Sequence, residues 1–166
     1  NVSMLKKYIN EEWNWAILIF MLSKSLLEAD GFLETTGYIF HDKGTDLITG
    51  HKRTIPIYTQ LDDIDFNNPD AYKEIQLKCF ESSADGFLII GQALESIEDD
   101  DGDEDEFSDM IFCRIEHKNK HFISSTRVIH EEDYSTFDLD SLVSFKTYNN
   151  QTLPKMYAKI LPCNQE

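Results

Sequence analysis

The stretch FLIIGQALESIEDDDGDEDEFSDMIFC, residues 87–113, decides how this chain is read. Phe87-Leu88-Ile89-Ile90 opens it and Met110-Ile111-Phe112-Cys113 closes it, two of the most apolar runs in the sequence. Short apolar runs of this kind read as strands covered on both faces. Between them, nine of the twelve residues 98–109 are carboxylates. Burying even one unneutralised carboxylate is prohibitive, so the run must lie in water or against cations. The pattern predicts an antiparallel core hairpin, 87–97 returning through 110–116, with an acidic loop at 98–109 on its tip.

Charge sets the sign of any partner. Thirty-one acidic residues against 15 basic ones give the 166-residue chain a net charge of −16, and −7 remains once the nine carboxylates of the run are set aside. Such a surface repels DNA, RNA and anionic membranes and attracts cations, basic proteins among them. The apolar fraction of 41% is that of a folded domain rather than a disordered chain. Cys79, Cys113 and Cys163 are sparse, odd in number and free of any CxxC pair, which fits thiols in a reducing, cytoplasmic setting. No signal peptide is expected, because the first apolar segment follows Lys6, Lys7, Glu11 and Glu12 and no small-residue cleavage site comes after it.

Upstream of the hairpin, Asn10 suits a helix N-cap, and Glu11 and Glu12 suit the first turn, where the helix dipole favours anions. The helix is expected to run through Trp13, the apolar run 15–22 and Leu26-Leu27, and to stop near Gly31. Because 15–22 is apolar on every face, the expectation is a helix buried on most sides. The alternative gives one face to a dimer contact. Eight apolar residues fall short of the roughly 20 that cross a membrane.

Beyond Gly31 the period changes to two. Thr36, Tyr38 and Phe40 alternate with Ile39 and His41 and predict a strand. A second strand, 53–59, carries Pro56 and so belongs at an edge or a bulge. Ile75, Leu77 and Cys79 alternate with Gln76, Lys78 and Phe80 and read as a strand, with a short helix from Asp70 as the competing reading. Downstream, 121–129 is expected to pair with 110–116, a short helix to begin near Asp138, and 154–161 to close the sheet. The sum is an α+β fold, a long N-terminal helix packed on a mainly antiparallel sheet of about six or seven strands. It is read as a single domain over 4–166, with Asn1-Val2-Ser3 left outside.

Motifs for catalysis are missing from the sequence: no GxSxG, no glycine-rich phosphate loop and no GxGxxG. Asp99, Asp101, Asp103 and Asp105 alternate as oxygen ligands of Ca2+ can. Gly102, however, stands fourth in the acidic series rather than sixth, and no Glu follows at the twelfth place. His117 and His121 are four apart, but Lys118-Asn119-Lys120 reads as a turn, which leaves both at the surface. His130-Glu131-Glu132-Asp133 reads as a polar strand end rather than an acid/base or metal site.

The expected function is therefore a non-catalytic acidic protein that neutralises a basic partner, without cofactor or metal. Asp99, Asp100, Asp101, Asp103, Glu104 and Asp105, joined by Asp62, Asp63 and Asp65, are the expected partner-binding residues. In its most concrete form this is an immunity protein that blocks the cationic active-site cleft of a bacterial nuclease-type toxin. In general character the chain is similar to small acidic bacterial immunity proteins, including those of contact-dependent growth inhibition. Such a protein would be a monomer or weak homodimer when free and would touch neither nucleic acid nor membrane. The alternative is a metal-dependent hydrolase or calcium-binding module built on the Asp-rich loop.

Overall fold

A computed structural model describes residues 16–41, 44–45, 48–52, 57–97, 106–117 and 120–149. In chain order they form α1 (Ala16–Asp30), β1 (Thr36–His41), β2 (Ile57–Leu61), α2 (Ala71–Ser82), β3 (Gly86–Ile97), β4 (Glu106–His117) and β5 (Lys120–Arg127). β6 (Ile129–His130), β7 (Ser135–Thr136), α3 (Leu139–Leu142) and β8 (Lys146–Asn149) follow. Six strands make an antiparallel sheet in the order β2-β1-β3-β4-β5-β8, and β6 pairs with β7 in a separate ribbon. The architecture is α+β, one main helix packed on that sheet. The chain divides into two compact units: Asn1–Thr35 with Ile90–Cys113 and Ile123–Lys146, and Thr36–Ile89 with Arg114–Phe122 and Thr147–Glu166.

In the first unit, α1 turns Ile17, Phe20 and Leu27 inward and packs against β7 and α3. The Phe20 ring lies 5.9 Å from that of Phe145. Ser23, also buried, donates its hydroxyl to the Ile19 carbonyl at 2.8 Å, so no polar group is stranded on that face. The helix stops where expected: Gly31 takes φ +81° and its N–H bonds the Leu27 carbonyl at 2.8 Å. The expected N-cap at Asn10 and the expected helical stretch through Trp13 lie outside the described residues. Burial on most sides does not hold. Leu18, Met21, Leu22 and Leu26 are 42–52% exposed, because the inward face is fully used by residues at spacings of three and four and the opposite face has nothing described against it. Further along, Asp138 caps α3 by accepting from the Asp140 N–H at 3.1 Å, as expected.

The second unit corrects the sequence reading at 75–79. These residues belong to α2 and not to a strand. Ala71, Ile75 and Cys79, four apart, form its buried side, while Leu77, which the alternation had placed beside them, is 56% exposed. Ser83 ends the helix at φ 55°, and the Ala84 N–H returns to the Cys79 carbonyl at 2.9 Å. β1 pairs antiparallel with β2, Phe40 opposite Tyr58, and β2 stands at the sheet edge as expected, although Pro56 itself lies outside the described residues. Phe87, Leu88 and Ile89 of β3 are fully buried, which bears out the two-sided covering read from their sequence. The closing strand expected at 154–161 lies outside the described residues. β8, which the sequence did not mark, borders β5.

Candidate functional site

The acidic run joins two hydrogen-bonded neighbours, β3 and β4. β4 already begins at Glu106, so Glu106 to Asp109, read from sequence as loop, belong to the strand. Asp99, Asp100, Asp101, Asp103, Glu104 and Asp105 lie outside the described residues. What the fold does define is their anchorage. Ile90 and Ile111 are at most 1% exposed, whereas Leu94, just before the run, and Phe107, within it on β4, are 68% and 65% exposed. The hairpin is thus fixed by its inner half and presents bare apolar side chains on the strands that lead to the carboxylates.

Asp109, the last acid of the run, has a partner. Its Oδ2 lies 2.8 Å from His130 Nε2, and His130 Nδ1 lies 3.0 Å from Ser135 Oγ. His130 and Ser135 face each other across the β6–β7 ribbon, whose turn is closed by the Glu131 N–H on the Tyr134 carbonyl at 2.8 Å. A second tie, Val128 N–H to the Asp109 carbonyl at 2.9 Å, makes Asp109 the clamp between β4 and the ribbon. The three residue types are those of a nucleophilic triad. Here the hydroxyl is nine-tenths buried in a cross-strand pair, and the arrangement staples a turn. The sequence places His130 at a polar strand end, and its carboxylate partner lies 21 residues upstream rather than in the adjacent Glu131-Glu132-Asp133.

Asp62, Asp63 and Asp65 share the loop after β2, in the second unit. Asp65 accepts from the Asn67 N–H at 3.0 Å and shapes the turn into α2. Asp63 lies 3.8 Å from Lys78 Nζ. Asp62 is exposed, and its charge adds to burial and Tyr58 in holding the Tyr38 phenol above its usual range. Two of the three thus have local work within the loop.

One cluster was not anticipated. Glu116 is fully buried, with Arg114 Nη2 at 3.5 Å and His121 Nδ1 at 3.8 Å from the same carboxylate oxygen. The Arg114 guanidinium sits 5.8 Å from the Phe87 ring centroid. His121, expected in a surface turn, is 0% exposed, because β5 starts at Lys120 and turns the imidazole inward against Glu116. Arg114 and Glu116, two apart around buried Ile115, are the signal that could have found the cluster: one strand face cannot hold two charges in a core unless they answer each other. Cys79 and Cys113 are free and buried. Burial, then the charge of Glu116, pushes the Cys79 thiol up to about 12, and burial alone holds Cys113 well above the usual thiol range.

Among the described residues no group of three His, Cys, Asp or Glu side chains could hold a metal ion, and no helix is long and apolar enough to cross a membrane. No protein-family model, curated protein or solved structure matches the chain.

Proposed function

We propose that this chain is a non-catalytic acidic binding protein that neutralises a basic partner, in its most concrete form an immunity protein covering the cationic cleft of a nuclease-type toxin. The observation that carries the reading is the anchorage of the run. Nine carboxylates of residues 98–109 are tethered by a hairpin whose inner half is locked in the core and whose outer half exposes Leu94 and Phe107. Concentrated negative charge speeds encounter with a positive surface, and desolvated apolar side chains beside it supply the short-range hold. A run needed for solubility alone has no use for two large apolar side chains on the strands that carry it.

The test is association with a basic nuclease domain encoded beside the chain, followed by stopped flow across a salt series. Exchanging Asp99, Asp100, Asp101, Asp103 and Asp105 for Asn is expected to slow association at low salt and to flatten its salt dependence. Rates that ignore both the exchange and the salt would remove the run from the interface.

A further inference from the structure

The outward face of α1 is an apolar feature that the proposed function does not use. Leu18, Met21, Leu22 and Leu26 recur at spacings of three and four, so they form one stripe along three turns. Ser25 and Ala29, also exposed, complete that stripe without adding charge. Charge appears only at its margins. Lys24 stands on one side, half-buried, while Glu28 and Asp30 are exposed at the C-terminal end, where the helix dipole is itself negative. The β6–β7 ribbon is tied to the Glu28 edge by the Thr136 hydroxyl, 2.7 Å from Glu28 Oε2, and its turn carries exposed Glu131, Glu132 and Asp133. The stripe's C-terminal end thus carries two carboxylates, and Thr136 links Glu28 to the ribbon that bears three more.

Three occupants can be weighed on that charge. A second copy would set like rims and net charges of −16 against each other. An anionic lipid surface meets the same repulsion. A basic amphipathic helix answers both halves of the surface, its apolar anchors on the stripe and its Lys or Arg on the rim. We infer that the outer face of α1 is the docking site for a cationic amphipathic helix of the protein partner. The inference rests on the basic-partner reading above and adds a second contact surface to it.

The experiment uses the full chain and a designed peptide of leucine and lysine arranged as an amphipathic helix, with a scrambled peptide of identical composition as control. Fluorescence anisotropy is expected to show the helical peptide binding at least tenfold more tightly than the scrambled one. Leu22→Lys should weaken the helical peptide by about tenfold while leaving the melting temperature in place. Leu18→Gln, at a site 52% exposed, is the second variant should Leu22→Lys fail to fold. Equal binding of both peptides, or indifference to both substitutions, would overturn the docking site. So would a free protein that sediments as a dimer and is split by Leu22→Lys, since a second copy would then own the face. If the helical peptide ignores α1 while a basic domain still binds through residues 98–105 with steep salt dependence, this inference fails and the proposed function survives. If the peptide binds α1 and no basic domain responds to the run, the run leaves the interface and the α1 face alone carries the contact with a basic partner.

Discussion

Strand β4 carries acid at both ends, and the two ends treat it in opposite ways. At its C-terminal end Glu116 is fully buried, approached by Arg114 and His121 within 4 Å. At its N-terminal end the strand emerges from a run of carboxylates of which Asp109, on β4 itself, meets the exposed imidazole of His130. One acid is enclosed and answered from within the core; the other described acid, Asp109, is answered at the surface by His130, and under the proposed function the rest of the run answers to a partner. The difference teaches where binding capacity sits. A charge satisfied internally fixes structure, whereas a dense set of carboxylates attracts positive charge from its surroundings.

The sharpest way to break this contrast is to remove the enclosed acid. Glu116→Ala removes the buried carboxylate that lies 3.5 Å from the Arg114 guanidinium, which sits in the core beside Phe87. Breaking a buried pair from one side costs about 3–5 kcal/mol. Urea denaturation should show that loss as a lower midpoint at unchanged slope. A cost under 1 kcal/mol would mean that other groups or water answer Arg114, and that the inner and outer acids differ less than their burial implies.

The buried thiol beside that cluster gives a second, pH-dependent measure. Cys79 is held up to about 12 against an ordinary value of 9.0. A group whose folded pKa is raised keeps its proton longer in the fold. Its stabilising contribution is therefore complete below about pH 9 and is lost as the pH climbs toward 12. Thiol reagents at pH 8 should leave Cys79 and Cys113 unlabelled in the native protein and react with both in denaturant. Rapid native labelling would show that the core around Glu116 opens.

Much of the fold was legible because its signals are local. Gly31 past an apolar helix, Asp138 before Leu139, and the continuous run 87–90 each act through their own backbone or burial, and each element stands where its residues predicted. Residues 75–79 misled because two periods fit five residues. Ala71, a small apolar residue four before Ile75, decides for the helix, and nothing in the alternation weighs it. The partners of Glu116 and Asp109 were harder to see for another reason. Arg114 is close in sequence, but His121 and His130 reach their carboxylates only once β4, β5 and the ribbon are in place. The site candidates divide in the same way. Asp62, Asp63 and Asp65 were read as one acidic group, yet Asp65 forms a turn and Asp63 faces Lys78, both consequences of α2 being a helix.

At the outer end of β4 the clamp is expected to matter less than the buried pair. His130 is 58% exposed on its side chain and Asp109 is 29% exposed. Exposed pairs of this kind contribute about 0.2–1 kcal/mol. His130→Ala should lower global stability by no more than that, and hydrogen exchange should rise at the Glu131 and Val128 amides before it rises elsewhere. A larger global loss would make the ribbon part of the core, and Asp109 an enclosed acid like Glu116.

The smallest expected effect on stability is also the most telling. Replacing Asp99, Asp100, Asp101, Asp103 and Asp105 with Asn removes charges that repel one another by tenths to about 1 kcal/mol per close pair in water. Nothing in the fold requires those charges if their counterpart is a partner, so the free protein should melt within about 0.5 kcal/mol of the parent, on the more stable side if on either. The same exchange should slow association with a basic domain at low salt and leave it nearly unchanged at high salt, where the Debye length shrinks to about 3 Å. A free protein that loses several kcal/mol would place the run with Glu116, its carboxylates answered from inside or by a bound cation, and the contrast between the two ends of β4 would collapse. Stability retained together with a lost salt slope is what separates charge kept for a partner from charge consumed by the fold.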